Sequence, residues 1–205
     1  MKVGIVDYRM GNLASVSKAL QSSGVEPHVS DQAAELEGSD LVVLPGVGNF
    51  AAGMMNLNEL SLADFVIEWA QAGRPLLGIC MGMQLFFEES DEGSAKGLGI
   101  LPGRVEKFKP GLTIPHMGWN TLKAAGSPVF EEADGEYFYF VHSYYCAPEN
   151  ASDVAAWTDY GGDFASAVHS GKVHGVQFHP EKSSDGGLAL LAKILEEMRS
   201  ETQLS

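Results

Sequence analysis

Two kinds of hydrophobic pattern alternate along the first hundred residues. Val3-Gly4-Ile5-Val6, Leu41-Val42-Val43-Leu44 and Leu76-Leu77-Gly78-Ile79 are short unbroken apolar runs, the pattern of strands buried on both faces. Between them, apolar residues return at helical spacing. Leu13, Val16, Ala19 and Leu20 form one stripe with Gly24 as its stop, and Leu62, Phe65, Val66 and Trp69 form another ended by Gly73. A weaker strand is expected over 25–29, a break at Pro45-Gly46, and a helix over Met83 to Phe87. Repeated β-α-β units of this kind predict an α/β fold with an open, mostly parallel sheet and helices on both faces.

The second half adds a smaller, antiparallel, strand-rich part. Gly103 to Phe108, Tyr137 to Tyr145, Val154 to Trp157, Phe164 to Val168 and Val173 to Phe178 all have strand composition. His169 to Lys172 reads as a hairpin turn between the last two. Leu188, Leu191, Ile194, Leu195 and Met198 share one face of a closing helix, and Glu201 to Ser205 is expected to fray. No linker, repeat or low-complexity segment interrupts the chain, so a single domain over 1–205 is expected.

Composition narrows the classes. The chain has 205 residues, 45% of them hydrophobic, enough for one well-packed core, and a formal charge of −14. That balance repels phosphate backbones and anionic bilayers, which speaks against nucleic-acid and membrane-surface partners. No apolar run approaches the ~18 residues of a membrane span. Two cysteines without a secretory signal point to a reducing, cytoplasmic compartment. Metal and phosphate motifs are missing: there is no H-E-x-x-H, no paired C-x-x-C and no P-loop. Neither a metal nor a cofactor is expected.

The sharpest local signal is Gly78-Ile79-Cys80-Met81-Gly82-Met83-Gln84. A buried strand runs into it and a helix leaves it, which puts Cys80 on a nucleophile elbow. The flanking glycines let strand and helix pass closely, and the helix start favours the thiolate. The Met81 N–H would face a developing oxyanion. A buried structural cysteine is the competing reading, and Cys146, among Tyr144, Tyr145 and Ala147 with no glycine pair, falls to it. A thiolate needs a base and the base an orienter. Only His179, in Gln177-Phe178-His179-Pro180-Glu181, has a carboxylate two residues on. His28, His169 and His174 read as ordinary core or surface residues, while His116 and His142 stay open. Gly46-Val47-Gly48-Asn49-Phe50-Ala51 formally matches a dinucleotide fingerprint, but the acid at the required distance, Glu68, falls inside a helical stripe. A loop offering backbone N–H groups to the Cys80 site is the better reading, with a plain tight turn as the bland one.

With Cys80, His179 and Glu181 in that order, the chain resembles the class I (triad) glutamine amidotransferases. Within that class it is similar to the glutaminase subunits of imidazole glycerol phosphate synthases. The resemblance is carried by Val6-Asp7-Tyr8, Met10 to Leu13, Pro45-Gly46-Val47-Gly48, Ile114 to Asn120, Tyr139 to Tyr144 and His179 to Ser183. It spans nearly the whole chain and implies a flavodoxin-like fold. It also implies that Cys80 attacks the glutamine side-chain amide. Gly48, Gln84, Ser143 and Tyr144 would hold glutamine, and the Val47 and Met81 N–H groups would serve the oxyanion. The ammonia would pass to a (β/α)8-barrel cyclase in a heterodimer, whose docking face would include Asn12, Met117, Trp119, Tyr137, Tyr139 and Lys182. Arg9 departs from the family pattern, which has glycine there. Another class I amidotransferase subunit, a stand-alone cysteine hydrolase and a non-catalytic docking subunit are the rival readings.

Overall fold

The structure, a computed structural model, describes residues 1–203. Its elements in chain order are β1 (Lys2–Val6), α1 (Leu13–Ser22), β2 (Glu26–Ser30), α2 (Ala33–Leu36), β3 (Leu41–Gly46), α3 (Phe50–Glu59), α4 (Leu62–Gln71), β4 (Leu76–Cys80) and α5 (Met81–Gln84). Then follow β5 (Glu89–Ser90), β6 (Ala95–Lys96), β7 (Gly103–Lys107), β8 (His116–Thr121), β9 (Lys123–Ala124), α6 (Pro128–Glu131), β10 (Tyr137–His142) and β11 (Tyr144–Pro148). The chain closes with β12 (Val154–Asp159), β13 (Asp163–Ser170), β14 (Val173–Val176) and α7 (Ser184–Gln203). Of the tail expected to fray, 204–205 lie outside the described residues, and α7 runs to Gln203.

Strands β2-β1-β3-β4-β14 form a parallel block, and the same sheet continues antiparallel through β13, β11 and β7. Alternate residues of the block face opposite cores. Leu41 and Val43 pack with Val16, Leu20, Leu191 and Ile194 of α1 and α7. Val42 and Leu44 pack with Leu57, Leu62, Val66 and Trp69 of α3 and α4. The apolar runs are thus buried on both faces because helices cover both. The order of β1 between β2 and β3 is a switch point, where open α/β sheets form their crevice at the strand C-termini.

Several boundaries differ from the sequence expectation. Pro45-Gly46 does not break β3, which stays paired with β4 through Gly46↔Cys80. The register of β1 with β3 ends at Ile5↔Val43, so the missing proline N–H removes no rung on that side. The helix expected over Met83 to Phe87 is instead a single turn that begins at Met81, directly after the nucleophile candidate. The stretch Tyr137 to Tyr145 is two strands that belong to two sheets. β10 pairs with β8 in a separate two-stranded sheet and β11 pairs with β7, leaving Ser143 between them. The last strand stops at Val176. Helix α3 follows Gly48 directly, capped by the Asn49 side chain on Ala52 N–H at 3.0 Å. The hairpin turn between β13 and β14 is Gly171-Lys172, with Ser170 facing Val173.

Candidate active site

Cys80 ends β4 with φ 54° and ψ −112°, a conformation that an L-residue holds only under strain and that recurs at functional sites. The glycines beside it are required by contact, not by flexibility. A Cβ on Gly82 would lie 1.7 Å from the Leu44 carbonyl oxygen, and one on Gly78 would lie 2.7 Å from the Met83 backbone. Strand β3 and the turn α5 therefore meet backbone to backbone around the sulfur. A Cβ on Gly46 would meet the Tyr8 hydroxyl at 2.3 Å. That hydroxyl is fully buried and has no hydrogen-bond partner.

His179 follows β14 by three residues and leads the 3₁₀ turn Pro180–Lys182. Its Nδ1 lies 2.8 Å from Glu181 Oε1, and both side chains are 2% exposed. Its Nε2 is buried without a hydrogen-bond partner of ordinary length, and Cys80 is its neighbour in charge. Burial alone would favour the neutral ring. The Cys80 sulfur and the Glu181 carboxylate outweigh it and push the His179 pKa up to about 10. A charged His179 ring beside the Cys80 sulfur is placed to hold the proton that the attacking form of cysteine must give up. The segment is tied to β10 by His179 N–H to the Tyr139 carbonyl at 2.9 Å and by Tyr139 N–H to Ser183 Oγ at 2.9 Å.

In front of Cys80 lies a cavity of about 240 Å³ lined by Val47, Gly48, Met81, Gln84, Ser143 and Tyr144 together with Glu92, Pro115, Val141 and His142. The volume suits a small amino-acid side chain and backbone. All four expected glutamine-holding residues and both expected oxyanion residues share this wall. Gly48 has φ 109°, so the loop after β3 takes a turn that glycine adopts most readily. Gln84 donates its side-chain amide to the Tyr144 carbonyl and to Gln177 Oε1, both at 2.9 Å. The Gln177 side-chain N–H in turn lies 3.7 Å from Cys80 Sγ.

Glu92 and Gln177 escaped the sequence reading. Glu92 sits in a run of acids that reads as solvated surface, yet its carboxylate accepts from Phe50 N–H at 2.6 Å and lines the cavity. Gln177 stands in the His179 motif without any feature that marks it. His142 and His116 are both buried; burial lowers their pKa values to about 3 and about 4. Cys146 is buried in β11, and burial pushes its thiol well up, in keeping with a packing role.

The expected docking residues divide. Met117, Trp119 and Tyr137 are exposed on one face of the β8–β10 sheet, and Tyr139 is half-buried opposite Trp119. Lys182 is exposed in the turn after His179. Asn12 is exposed and also caps α1 by accepting from Ser15 N–H at 3.3 Å. Away from this site, His169, His174 and Glu197 bring three ligand atoms within 4.8 Å. The two rings stack 4.1 Å apart and nearly parallel, so their in-plane lone pairs do not converge on one point. No helix among the described residues is long and apolar enough to cross a membrane.

Comparison with known proteins identifies the family. The family described as "Glutamine amidotransferase class-I" matches residues 4–198. Among curated relatives, "Imidazole glycerol phosphate synthase subunit HisH" of Desulfitobacterium hafniense (strain DSM 10664 / DCB-2) is 50% identical over 92% of this chain and 91% of its own length. The protein of the same name from Thermosynechococcus vestitus is 48% identical, covering 94% and 95%. Among solved structures, a glutamine amidotransferase superposes with a TM-score of 0.75 at 20% identity over 98% of both chains. PurLQS from Thermotoga maritima superposes at 0.73 and 19%, covering 96% of this chain and 98% of that one.

Proposed function

The chain belongs to the class I glutamine amidotransferases, and on that premise we propose that it is the glutaminase subunit of an imidazole glycerol phosphate synthase, acting in histidine biosynthesis. Its 46–50% identity to subunits so named, over nearly the whole chain, supports that assignment within the class. The whole chain acts as one domain. The observation that carries the chemistry is His179 held between Glu181 and Cys80 at the edge of a cavity fit for glutamine.

Glutamine lies in the cavity with its side-chain amide against Cys80. The Glu92 carboxylate, the acid in the lining, is the counter-charge for the substrate ammonium. The thiolate attacks the amide carbon, and the negative charge that moves to oxygen is met by the N–H groups of Met81 and Val47. His179 gives its proton to the departing nitrogen, the C–N bond breaks, and ammonia leaves a glutamyl thioester on Cys80. A water then gives up a proton to His179, adds to the thioester and releases glutamate and the thiolate. Glu181 keeps the ring oriented and steadies its charged form throughout.

Free ammonia is protonated and lost in water at neutral pH, so hydrolysis without an acceptor is wasteful. The acceptor is a (β/α)8-barrel cyclase docked over the strand C-termini. Measuring glutamate release by the full chain alone, with the cyclase, and with the cyclase plus its nucleotide tests this reading. A low rate alone that rises with both additions is expected. Undiminished hydrolysis by Cys80→Ala would overturn the chemistry, and a full rate without the cyclase would remove the coupling.

A further inference from the structure

His116 and His142, the two histidines for which sequence offers no role, form one continuous chain of hydrogen bonds. Asn120 Nδ2 lies 3.2 Å from His116 Nε2, His116 Nδ1 lies 2.9 Å from His142 Nε2, and His142 Nδ1 lies 2.8 Å from the Tyr144 carbonyl. Only one arrangement of protons satisfies every link. A carbonyl can only accept, so His142 carries its proton on Nδ1 and accepts at Nε2. His116 must then carry its proton on Nδ1 and accept at Nε2 from the Asn120 amide. The Asn120 orientation is set independently, because Nδ2 also donates to the Asp159 carbonyl at 2.9 Å and Oδ1 accepts from Thr121 N–H at 2.8 Å. A proton added to either ring would set N–H against N–H, so the chain exists only with both rings neutral. Their burial enforces the same state.

The chain does not stop at Tyr144. The same carbonyl takes the Gln84 amide, Gln84 grips Gln177, and Gln177 presents an N–H to the Cys80 sulfur. Its other end lies on β8, where His116 and Asn120 point inward while Met117 and Trp119 point out and are exposed. We propose that His116 and His142 are positioning residues that hold the Gln84–Gln177 amide pair against the Cys80 sulfur in register with strand β8. The proposal rests on Cys80 being the nucleophile of the glutaminase read above. Packing alone would not need imidazoles. The His116 ring stacks on Tyr160 at 4.0 Å and on Phe140 at 4.9 Å, a setting that phenylalanine would also fill.

The test is the pH profile of Cys80 alkylation by iodoacetamide in the full chain, read by mass spectrometry against Cys146, with glutamine turnover measured alongside. His116→Phe keeps the ring stack and deletes both links. Asn120→Asp keeps the shape at the outer end and turns the donor into an acceptor. Both are expected to move the alkylation midpoint to higher pH and to slow alkylation at pH 7 by about three- to tenfold, the scale of one ordinary hydrogen bond. Gln177→Leu should do the same, and His116→Phe combined with Gln177→Leu should be no slower than Gln177→Leu alone. An unchanged midpoint in His116→Phe and Asn120→Asp, or effects that multiply in the double variant, would overturn the proposal. Should His116→Phe fail to fold, Asn120→Asp decides, because its side chain lies at the half-buried end of the chain. Failure of the glutaminase reading looks different: wild-type Cys80 would be no more reactive than Cys146 and Cys80→Ala would still hydrolyse glutamine.

Discussion

His179 Nδ1 and Glu181 Oε1 lie 2.8 Å apart across a single proline. Pro180 fixes one of the torsions between them, and the 3₁₀ turn it begins fixes the rest. The base and its orienter are thus held together by local chain geometry. His179→Asn is expected to lower glutamine turnover by about 10²- to 10⁴-fold, since proton transfer and thiolate formation fail together. Glu181→Gln should cost about tenfold less, because the ring keeps its place and loses only part of its orientation. Equal and small losses in steady-state turnover would point to another base.

Strain at the nucleophile makes a prediction about stability. With φ at 54°, Cys80 holds a conformation that costs about 1–3 kcal/mol for a side-chain-bearing residue. Cys80→Ala and Cys80→Gly should both be inactive. The glycine variant should nevertheless be the more stable of the two by about 1 kcal/mol, visible as a higher melting temperature. A less stable glycine variant would show that the elbow is relaxed.

Much of this site is legible in the sequence, and the illegible parts share a cause. Cys80 and His179 announce themselves because their neighbours are unusual: two glycines that must yield to backbone, and a carboxylate two positions on. Glu92 and Gln177 have ordinary neighbours, and what makes them part of the site is a partner 42 or 97 residues away. The division of Tyr137 to Tyr145 was hidden for a similar reason. Its strand composition runs on without a turn signal, while the strand that pairs with it changes from β8 to β7 at Ser143. Strand β8 and helix α3 are not legible because glycine and asparagine interrupt their apolar spacing.

Acid should weaken the fold through its buried histidines. His142 and His174 have pKa values lowered to about 3, chiefly by burial, against about 6.5 in an unfolded chain. Between those limits the unfolded chain binds protons that the folded chain refuses. The contribution of these two neutral rings is therefore fully present above about pH 6.5 and is lost as pH drops toward 3, by up to about 1.4 kcal/mol per pH unit for each ring. His179, raised to about 10, offsets part of that loss. Urea unfolding at pH 7.5 and pH 5.0 should show the loss, and a His174→Phe variant should show a shallower one. Equal stability at both pH values in the wild type would contradict it.

Trp119 offers the clearest handle on docking. It is half-exposed on the outer face of β8 and touches Tyr139 only edge-on, with ring centroids 6.2 Å apart. Trp119→Ala should leave the melting temperature of the isolated chain nearly unchanged and weaken cyclase binding by about 2 kcal/mol or more, as truncation of a central aromatic does. Calorimetric titration with the cyclase separates the two. Unweakened binding would move the docking face elsewhere.

The contact between Gly82 and the Leu44 carbonyl sets a tolerance of a single hydrogen atom. Any larger residue there would have to push β3 off the elbow, and the far end of β3 leads straight into Val47 and Gly48 in the cavity wall. The spacing between the sulfur and the groups facing it is therefore calibrated by atoms that are missing. Laboratory evolution of this scaffold should find position 82 closed to every other amino acid, even where the chemistry at position 80 is allowed to change.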